Sequence, residues 1–457
     1  MSKLLLAFYG DDFTGSTDAL EQLTLAGVRT VLFTEPPTPA QLKHFPKLQA
    51  VGVAGFTRSL PAAAMEKELR PAFKKLKALG ARHIHYKVCS TFDSSPEVGS
   101  IGRAIEVGME VFHPPFVPLL VAAPALGRYG VFGNLFARFG IGSDGAIHRL
   151  DRHPSASRHP VTPMTEADLR LHLAKQTERK VALFDILKVT LPATEARMAL
   201  RQILAERPDI VLFDALHSEH LAVIGGLVDT YASARRPLFS VGSSGIEMAL
   251  GAFFNLGSSR RKEALTQFPD GKKEPPYVGC YENILVGSGS CSPVTESQIA
   301  WARKRGFAEV ALDASALASP KKSGMEIQRA TGTAAKLLQT GGSVIVHTTP
   351  GGSVGRITAK LRGRSAPVLG MALGTILRNA LVQKPVRRLC IAGGDTSSYA
   401  ARAMGIEALE MMMPLTPGAP LCRVHAPDSP VDGCEIVFKG GQVGAENYFE
   451  IVRRGKV

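Results

Sequence analysis

Short apolar runs that stop on glycine, aspartate or a small hydroxyl residue and then open a helix recur along the whole chain. That alternation restricts the chain to layered α/β architectures. The first instance is the sharpest. Leu4 to Tyr9 reads as a buried strand and ends in Gly10-Asp11-Asp12; Thr14, Ser16 and Thr17 open a helix that continues through Asp18-Ala19-Leu20-Glu21-Gln22-Leu23. Two adjacent carboxylates therefore sit at the C-terminal end of a strand, where open α/β sheets bind ligands. Paired acids repel each other unless a cation, a hydroxyl or a basic side chain offsets them. Capping of the helix accounts for one of them; a second, followed by Thr-Gly-Ser, marks a site.

The same pattern divides the chain. Strands are expected at Thr30–Thr34, Ala50–Gly55, His83–Val88, Pro118–Pro124, Val181–Asp185, Ile210–Ala215 and Pro237–Val241, with helices over Met65–Leu79 and Ile246–Phe254. Residues 257–278 are polar, basic and rich in Pro and Gly, which suits a linker. A fresh series follows at Asn283–Val286, Ser343–His347 and Arg388–Ala392. The expected architecture is α/β with two domains, 1–256 and 279–457, each a mostly parallel sheet flanked by helices. A chain of 457 residues is too long for one ordinary core, which agrees.

Composition narrows the function. No apolar run of about 18 residues and no signal-peptide pattern is expected, so neither membrane insertion nor secretion is. The six cysteines form no Cys-x-x-Cys pair, so zinc knuckles and redox pairs are not indicated and a cytoplasmic location is expected. The formal charge of +14 is scattered in short basic pairs rather than a block, and Trp occurs once. That distribution argues against nucleic acid and suits an anionic small molecule.

Four small-residue turns mark the second domain: Gly287-Ser288-Gly289-Ser290-Cys291-Ser292, Thr348-Thr349-Pro350-Gly351-Gly352-Ser353, Gly393-Gly394-Asp395-Thr396-Ser397-Ser398 and Lys439-Gly440-Gly441-Gln442-Val443-Gly444. Turns without Cβ let backbone N–H groups approach an anion, and helix N-termini add partial positive charge. Together they point to a nucleotide site. There is no P-loop and no His-Arg-Asp or Asp-Phe-Gly set. Gly351-Gly352-Ser353-Val354-Gly355, with Asp395 and His425, has the spacing of a serine hydrolase, but Thr348-Thr349-Pro350 separates the strand from the serine. A nicotinamide-dependent dehydrogenase lacks its Gly-x-Gly-x-x-Gly and distal acid. A basic sugar-acid sensor would leave the glycine turns unexplained.

The first domain is polar in a different way. Asp11 and Asp12 are joined by Arg58, by Lys87 at a strand end, by Ser90-Thr91-Phe92-Asp93-Ser94, by Arg128, and by the turn His159-Pro160-Val161-Thr162-Pro163-Met164. Carboxylates, hydroxyls and cations in this mixture suit a small polyhydroxylated acid. His83 and His85 alternate along a strand and read more naturally as core or surface histidines than as metal ligands.

These motifs together resemble the four-carbon acid sugar kinase family. The shared features are Asp11-Asp12-Phe13-Thr14-Gly15-x-x-Asp18, the 287–292 turn followed by Thr295-x-x-Gln298-Ile299, Gly393-Gly394-Asp395-Thr396-Ser397, and the closing Lys439-Gly440-Gly441-x-x-Gly444. They run in order along essentially the whole chain. Where many members carry Lys-x-Asp-Ser-Thr-x-Arg-Gly, this chain has Lys87-Val88-Cys89-Ser90-Thr91-Phe92-Asp93-Ser94. Cys-Ser-Thr-Phe-Asp-Ser and the His159-Pro-x-Thr-Pro-Met164 turn resemble the branch that phosphorylates 3-oxo-tetronates.

The resemblance implies a kinase that transfers the γ-phosphoryl of ATP, with Mg²⁺ bridging the phosphates, to the terminal hydroxyl of a small acid sugar. A 3-oxo-tetronate is the leading substrate; 3-oxo-isoapionate and D-threonate or D-erythronate are alternatives. It places the acid sugar on the N-terminal domain, with Arg58 and Lys87 on its carboxylate and oxo group and Ser90, Thr91, Asp93 and His159 nearby. It places the nucleotide on Ser288, Ser290, Gly351, Gly352, Gly393, Gly394, Asp395, Thr396, Gly440 and Gly441. Asp12 or Asp11 would orient the hydroxyl and take its proton, with Asp395 as competitor. Closure of the domains and a homodimer are further expectations.

Overall fold

The computed structural model describes residues 4–140, 145–159, 161–256, 283–348 and 365–455. The expected linker at 257–278 and the turn at Gly351-Gly352-Ser353 lie outside the described residues. The chain divides into two units, Met1–Val31 with Pro36–Lys273, and Leu32–Glu35 with Glu274–Val457.

In the first unit, strands β1 (Leu6–Gly10), β3 (Ala50–Ala54), β4 (His83–Lys87), β5 (Val117–Leu120), β9 (Val181–Phe184), β10 (Ile210–Phe213) and β11 (Leu238–Gly242) lie in the order β3-β1-β4-β11-β5-β10-β9, with β2 (Thr30–Phe33) bordering β3. The registers of these seven are parallel throughout. Parallel strands are covered on both faces, which is why they are continuous apolar runs rather than alternating ones. The helix Ala62–Ala78 buries Met65, Leu69, Phe73 and Leu76 at helical spacing, and Phe73 contacts the rings of Tyr9, Tyr86, Phe112 and Phe239.

The register aligns the strand ends. Gly10 pairs with Ala54 on one side and Lys87 on the other, and Lys87 with Gly242. Chain order reverses between β1 and β4, which makes their shared C-terminal edge the topological switch point. Beside this sheet lies a three-stranded antiparallel one of β6 (Arg128–Val131), β7 (Asn134–Arg138) and β8 (Ile147–Arg149). Its strands are short and partly polar, and the sequence reading did not anticipate them.

The second unit orders β12 (Leu285–Ser288), β13 (Ala308–Ala311), β14 (Val344–His347), β15 (Arg388–Ala392), β16 (Ala408–Thr416), β17 (Ala419–His425) and β18 (Glu435–Lys439) as β13-β14-β12-β15-β18-β17-β16. The first five are parallel; β17 and β16 close the edge as an antiparallel hairpin. Here the reversal falls between β12 and β15, whose ends Ser288 and Ala392 are in register, with Lys439 beside Ala392.

One expectation is corrected. The helix Ser365–Gln383 is long and apolar enough, at a mean hydropathy of 1.3, to match a membrane span. Its apolar stripe of Leu369, Leu373, Ile376, Leu377 and Leu381 is buried within the unit, the arrangement of a core helix.

Candidate functional site

In the first unit, β1 delivers both aspartates to the switch point. The backbone of Asp11 is fixed on two sides: its N–H donates to the Lys87 carbonyl at 2.8 Å, and its carbonyl accepts from the Arg58 N–H at 3.0 Å. Asp12 is the N-cap of the helix Phe13–Leu25. Its Oδ1 accepts from the Gly15 N–H at 2.9 Å, and its Oδ2 accepts from the Thr14 hydroxyl at 2.7 Å and pairs with Arg58 Nη2 at 2.9 Å. The capping reading of the pair is therefore realised at Asp12.

The two carboxyls differ in state. Burial opposes the charge of each, but Arg58 and the Thr14 hydroxyl hold Asp12 below the usual carboxylate range. Asp11 is only 2 % exposed, and its Oδ1 has no hydrogen-bond partner. Burial, followed by repulsion from Asp12, pushes its pKa up to about 8 against the pull of Arg58 and Lys87. One acid is locked as an anion; its neighbour titrates near neutrality.

Lys87 closes the far side. Its ammonium is buried, donates to the Val88 carbonyl at 3.1 Å and lies 3.6 Å from Asp18 Oδ2. Burial disfavours its charge, but the carboxyls of Asp18, Glu247, Asp11 and Asp12 outweigh that and raise its pKa. Gly15 is required here, since a Cβ would lie 2.5 Å from Asp12 Oδ1 and 3.1 Å from Lys87 Nζ.

Glu247 was not anticipated. It sits in the first turn of the helix Gly245–Leu256, fully buried, with neither carboxyl oxygen hydrogen-bonded and Oε1 3.6 Å from His85 Nε2. Burial raises its pKa to about 8, and burial with the Lys87 charge lowers that of His85 to about 3. His83 is bound to Asp229 at 3.0 Å. The available signal for Glu247 was the Gly242-Ser243-Ser244-Gly245 turn at a strand end with an acid just inside the following helix.

The remaining candidates of this unit follow β4. The Cys89 thiol lies 3.0 Å from the Thr91 hydroxyl, and burial with the nearby Asp93 pushes its pKa up to about 12, so it stays neutral. Ser90, Thr91 and Asp93 are half-buried, and Phe92 takes a left-handed φ of 56°. His159 Nδ1 accepts from the Thr162 N–H at 3.0 Å, closing its own turn.

In the second unit the turns converge. A Cβ on Gly393 would meet Thr396 Oγ1 at 2.4 Å and the Ser290 backbone N at 3.4 Å; one on Gly289 would meet Thr396 at 2.7 Å; one on Gly441 would meet Ser290 Oγ at 2.7 Å and Ser292 Cβ at 3.1 Å. The Gly289–Ser292 turn, the Gly393–Thr396 helix start and the Gly440–Gly441 loop thus come together around the side chains of Ser290, Ser292 and Thr396 as one cradle. Thr396 Oγ1 is buried there without a partner. Asp395 lies exposed in the first turn of the helix Gly394–Ala403.

The Thr295-x-x-Gln298 motif explains how the third turn is held. Thr295 Oγ1 donates to the Gly441 carbonyl at 2.8 Å and accepts from Lys439 Nζ at 3.0 Å. Gln298 Nε2 lies 3.0 Å from the carbonyls of Val443, Gly444 and Ala445. Burial lowers the Lys439 pKa to about 8. His425, the third member of the hydrolase pattern, pairs with Glu410 at 2.9 Å on the adjoining strand; Ser353 lies outside the described residues.

The two α/β units thus carry an acid–base cluster in one and a glycine-rich cradle in the other. Residues 6–250 match a sugar-binding N-terminal domain and residues 285–449 a nucleotide-binding C-terminal domain. The chain belongs to the four-carbon acid sugar kinase family, a family of phosphotransferases. It is 43 % identical over 463 residues to a 3-oxo-isoapionate kinase of Paraburkholderia graminis, covering 99 % of this chain and 95 % of the relative. It is 29 % identical over 448 residues to a 3-oxo-tetronate kinase of Pseudomonas savastanoi pv. phaseolicola, covering 97 % and 96 %. A crystal structure from Salmonella typhimurium LT2 superposes with a TM-score of 0.75 at 25 % identity, covering 99 % of both chains. One of a Haemophilus influenzae protein, at 0.67 and 22 % over 98 % and 99 %, shares the fold.

Proposed function

We propose that the protein transfers the γ-phosphoryl group of ATP to the terminal hydroxyl of a small 3-oxo sugar acid. The observation that carries this reading is the division of labour between Asp11 and Asp12. Asp12 has both oxygens committed and stays ionised, whereas Asp11 has an uncommitted oxygen and titrates near neutrality. The ionised form of such a carboxyl accepts a proton from an alcohol as it attacks, and its raised pKa makes it a stronger base than an ordinary carboxylate. Asp11 is therefore the base, Asp12 with Arg58 fixes the geometry, and Lys87 with Ser90, Thr91 and Asp93 borders the substrate.

The greater similarity to the 3-oxo-isoapionate kinase than to the 3-oxo-tetronate kinases favours 3-oxo-isoapionate over the tetronate expected from the motifs. D-Threonate and D-erythronate are the less supported alternatives.

The cradle of the second unit fits the phosphates of ATP. It leaves no room for a Cβ at Gly289, Gly393 or Gly441, presents the N-terminus of the helix Gly394–Ala403 and holds the unpartnered Thr396 hydroxyl. Ser288 and Ser290 border it from β12. Mg²⁺, when bound to the phosphates, would supply charge neutralisation, and Asp395, exposed in the first turn of that helix, would be the carboxylate to meet it. The residues then act by positioning, which dominates phosphoryl transfer.

A coupled ADP-release assay over four- and five-carbon 3-oxo and 2,3-dihydroxy acids tests the reading. Turnover with 3-oxo-isoapionate above the others is expected. Turnover with none of them would remove the proposal.

A further inference from the structure

The cations at the first unit's switch point are not equivalent. Arg58 is engaged by Asp12, and Lys87 lies among Asp18, Glu247 and Asp11. Arg128 is different. It opens β6 directly after the turn that follows β5, and it is only 5 % exposed. Its Nη1 donates to the carbonyls of Leu126, Gly127 and Arg138 at 3.1, 3.2 and 3.1 Å, which fixes the plane of the guanidinium. Its Nε has no hydrogen-bond partner, and among the described residues it makes no ion pair. Its backbone pairs with Ala123 just past the end of β5, which lies beside β11 and, through it, β4 in the same sheet, so it stands at the sheet edge that carries Lys87. Burial disfavours its charge, against the pull of Asp93 and Asp18. Neutral carbonyls do not compensate a buried positive charge; an anion does.

A second donor stands beside it. His153 is 4 % exposed, and its Nδ1 accepts from the N–H groups of Ser155 and Ala156 at 3.3 and 3.2 Å. That fixes the tautomer: the proton of the neutral ring is on Nε2, which is buried without a partner. Burial and the Arg128 charge both hold its pKa below the usual imidazole range, and the Arg138 carbonyl that Arg128 engages also acts on the ring.

We propose that Arg128, through its unpartnered Nε–H and assisted by His153 Nε2–H, binds the carboxylate of the sugar acid, leaving Lys87 and the aspartates to its oxo and hydroxyl groups. This rests on the kinase reading above and adds to it the residues by which an acid is told from a neutral sugar. Planar guanidinium recognition of a carboxylate is directional, so charge alone does not replace it.

The test compares wild type, Arg128→Gln and Arg128→Lys by ADP release, using the acid and its uncharged amide. Arg128→Gln should raise KM for the acid by about 10- to 150-fold, the equivalent of losing one charge-assisted hydrogen bond, with kcat and the KM for ATP little changed. Its preference for acid over amide should vanish. Arg128→Lys should fall between the two, and it carries the test alone if Arg128→Gln does not fold. Wild-type turnover combined with an unchanged KM and unchanged acid preference in the folded variant would overturn the assignment alone. No acid-dependent ADP release by the wild type would overturn the kinase reading and the assignment with it.

Discussion

Arg58 Nη2 lies 2.9 Å from Asp12 Oδ2, and this ion pair decides which of two consecutive carboxyls carries the charge. Asp11, one residue earlier on the same strand end, is left to burial and to the field of its neighbour. Sequence adjacency thus gives two acids with opposite tendencies.

Stability and activity should separate between the two sites. Asp12→Asn keeps a helix cap but removes the charge that pairs with the half-buried Arg58, so it should destabilise the protein by about 1–3 kcal/mol in chemical denaturation. Asp11→Asn replaces a group that is mostly protonated in the fold but ionised in the unfolded chain at pH 7. It should therefore stabilise the protein at neutral pH, more than at pH 4, while lowering kcat by about 10²- to 10⁴-fold.

The pH dependence follows with a definite sign. Asp11 and Glu247 both have folded pKa values raised to about 8, so between the ordinary carboxylate range and that value the native state holds protons that the unfolded chain has lost. Stability should therefore fall as pH rises from about 4 to 8, and Asp11→Asn or Glu247→Gln should flatten the slope. In the same range kcat/KM should rise toward an apparent pKa of about 8, because the base must be deprotonated; Asp11→Asn should lose that limb. Urea midpoints and initial rates across pH check both.

Gly393 adopts φ 137°, with Thr396 Oγ1 2.4 Å from where a Cβ would sit. Gly393→Ala should raise the KM for ATP at least about tenfold through strain of about 1–3 kcal/mol, leaving the affinity for the sugar acid unchanged. Calorimetric titration with each ligand separates the two effects.

Cys291 is exposed in the Gly289–Ser292 turn, whereas Cys390 and Cys422 are buried. Partial burial holds its pKa above the free-thiol value, so alkylation should be slow. Peptide mapping after iodoacetamide should find Cys291 labelled ahead of Cys390 and Cys422, and ADP with Mg²⁺ should protect it. Labelling unaffected by nucleotide would argue against phosphates in this turn.

Much of the scaffold was readable because parallel strands advertise themselves. Runs such as Ile210–Phe213 and Arg388–Ala392 are buried on both faces and end in small residues. The β16–β17 hairpin was not seen, since Met411-Met412-Met413 followed by proline carries no alternation and its pairing shifts register near Met413. Asp11, Asp12 and Lys87 were legible from strand-end position. Arg128 was noticed but not distinguished from Arg58, because only three-dimensional pairing shows which guanidinium already has a carboxylate. In the sequence Glu247 is one polar residue in an apolar helix. Its place beside His85 and Lys87 depends on β11 lying beside β4, a non-local pairing that local pattern does not encode.

The most direct measurement is a crystal structure with ADP bound. The diphosphate should lie in the second unit against Ser290, Gly393 and Gly441, with the Asp11 cluster free of nucleotide. A diphosphate seated at Asp11 and Lys87, with the glycine cradle empty, would contradict the assignment of the two sites.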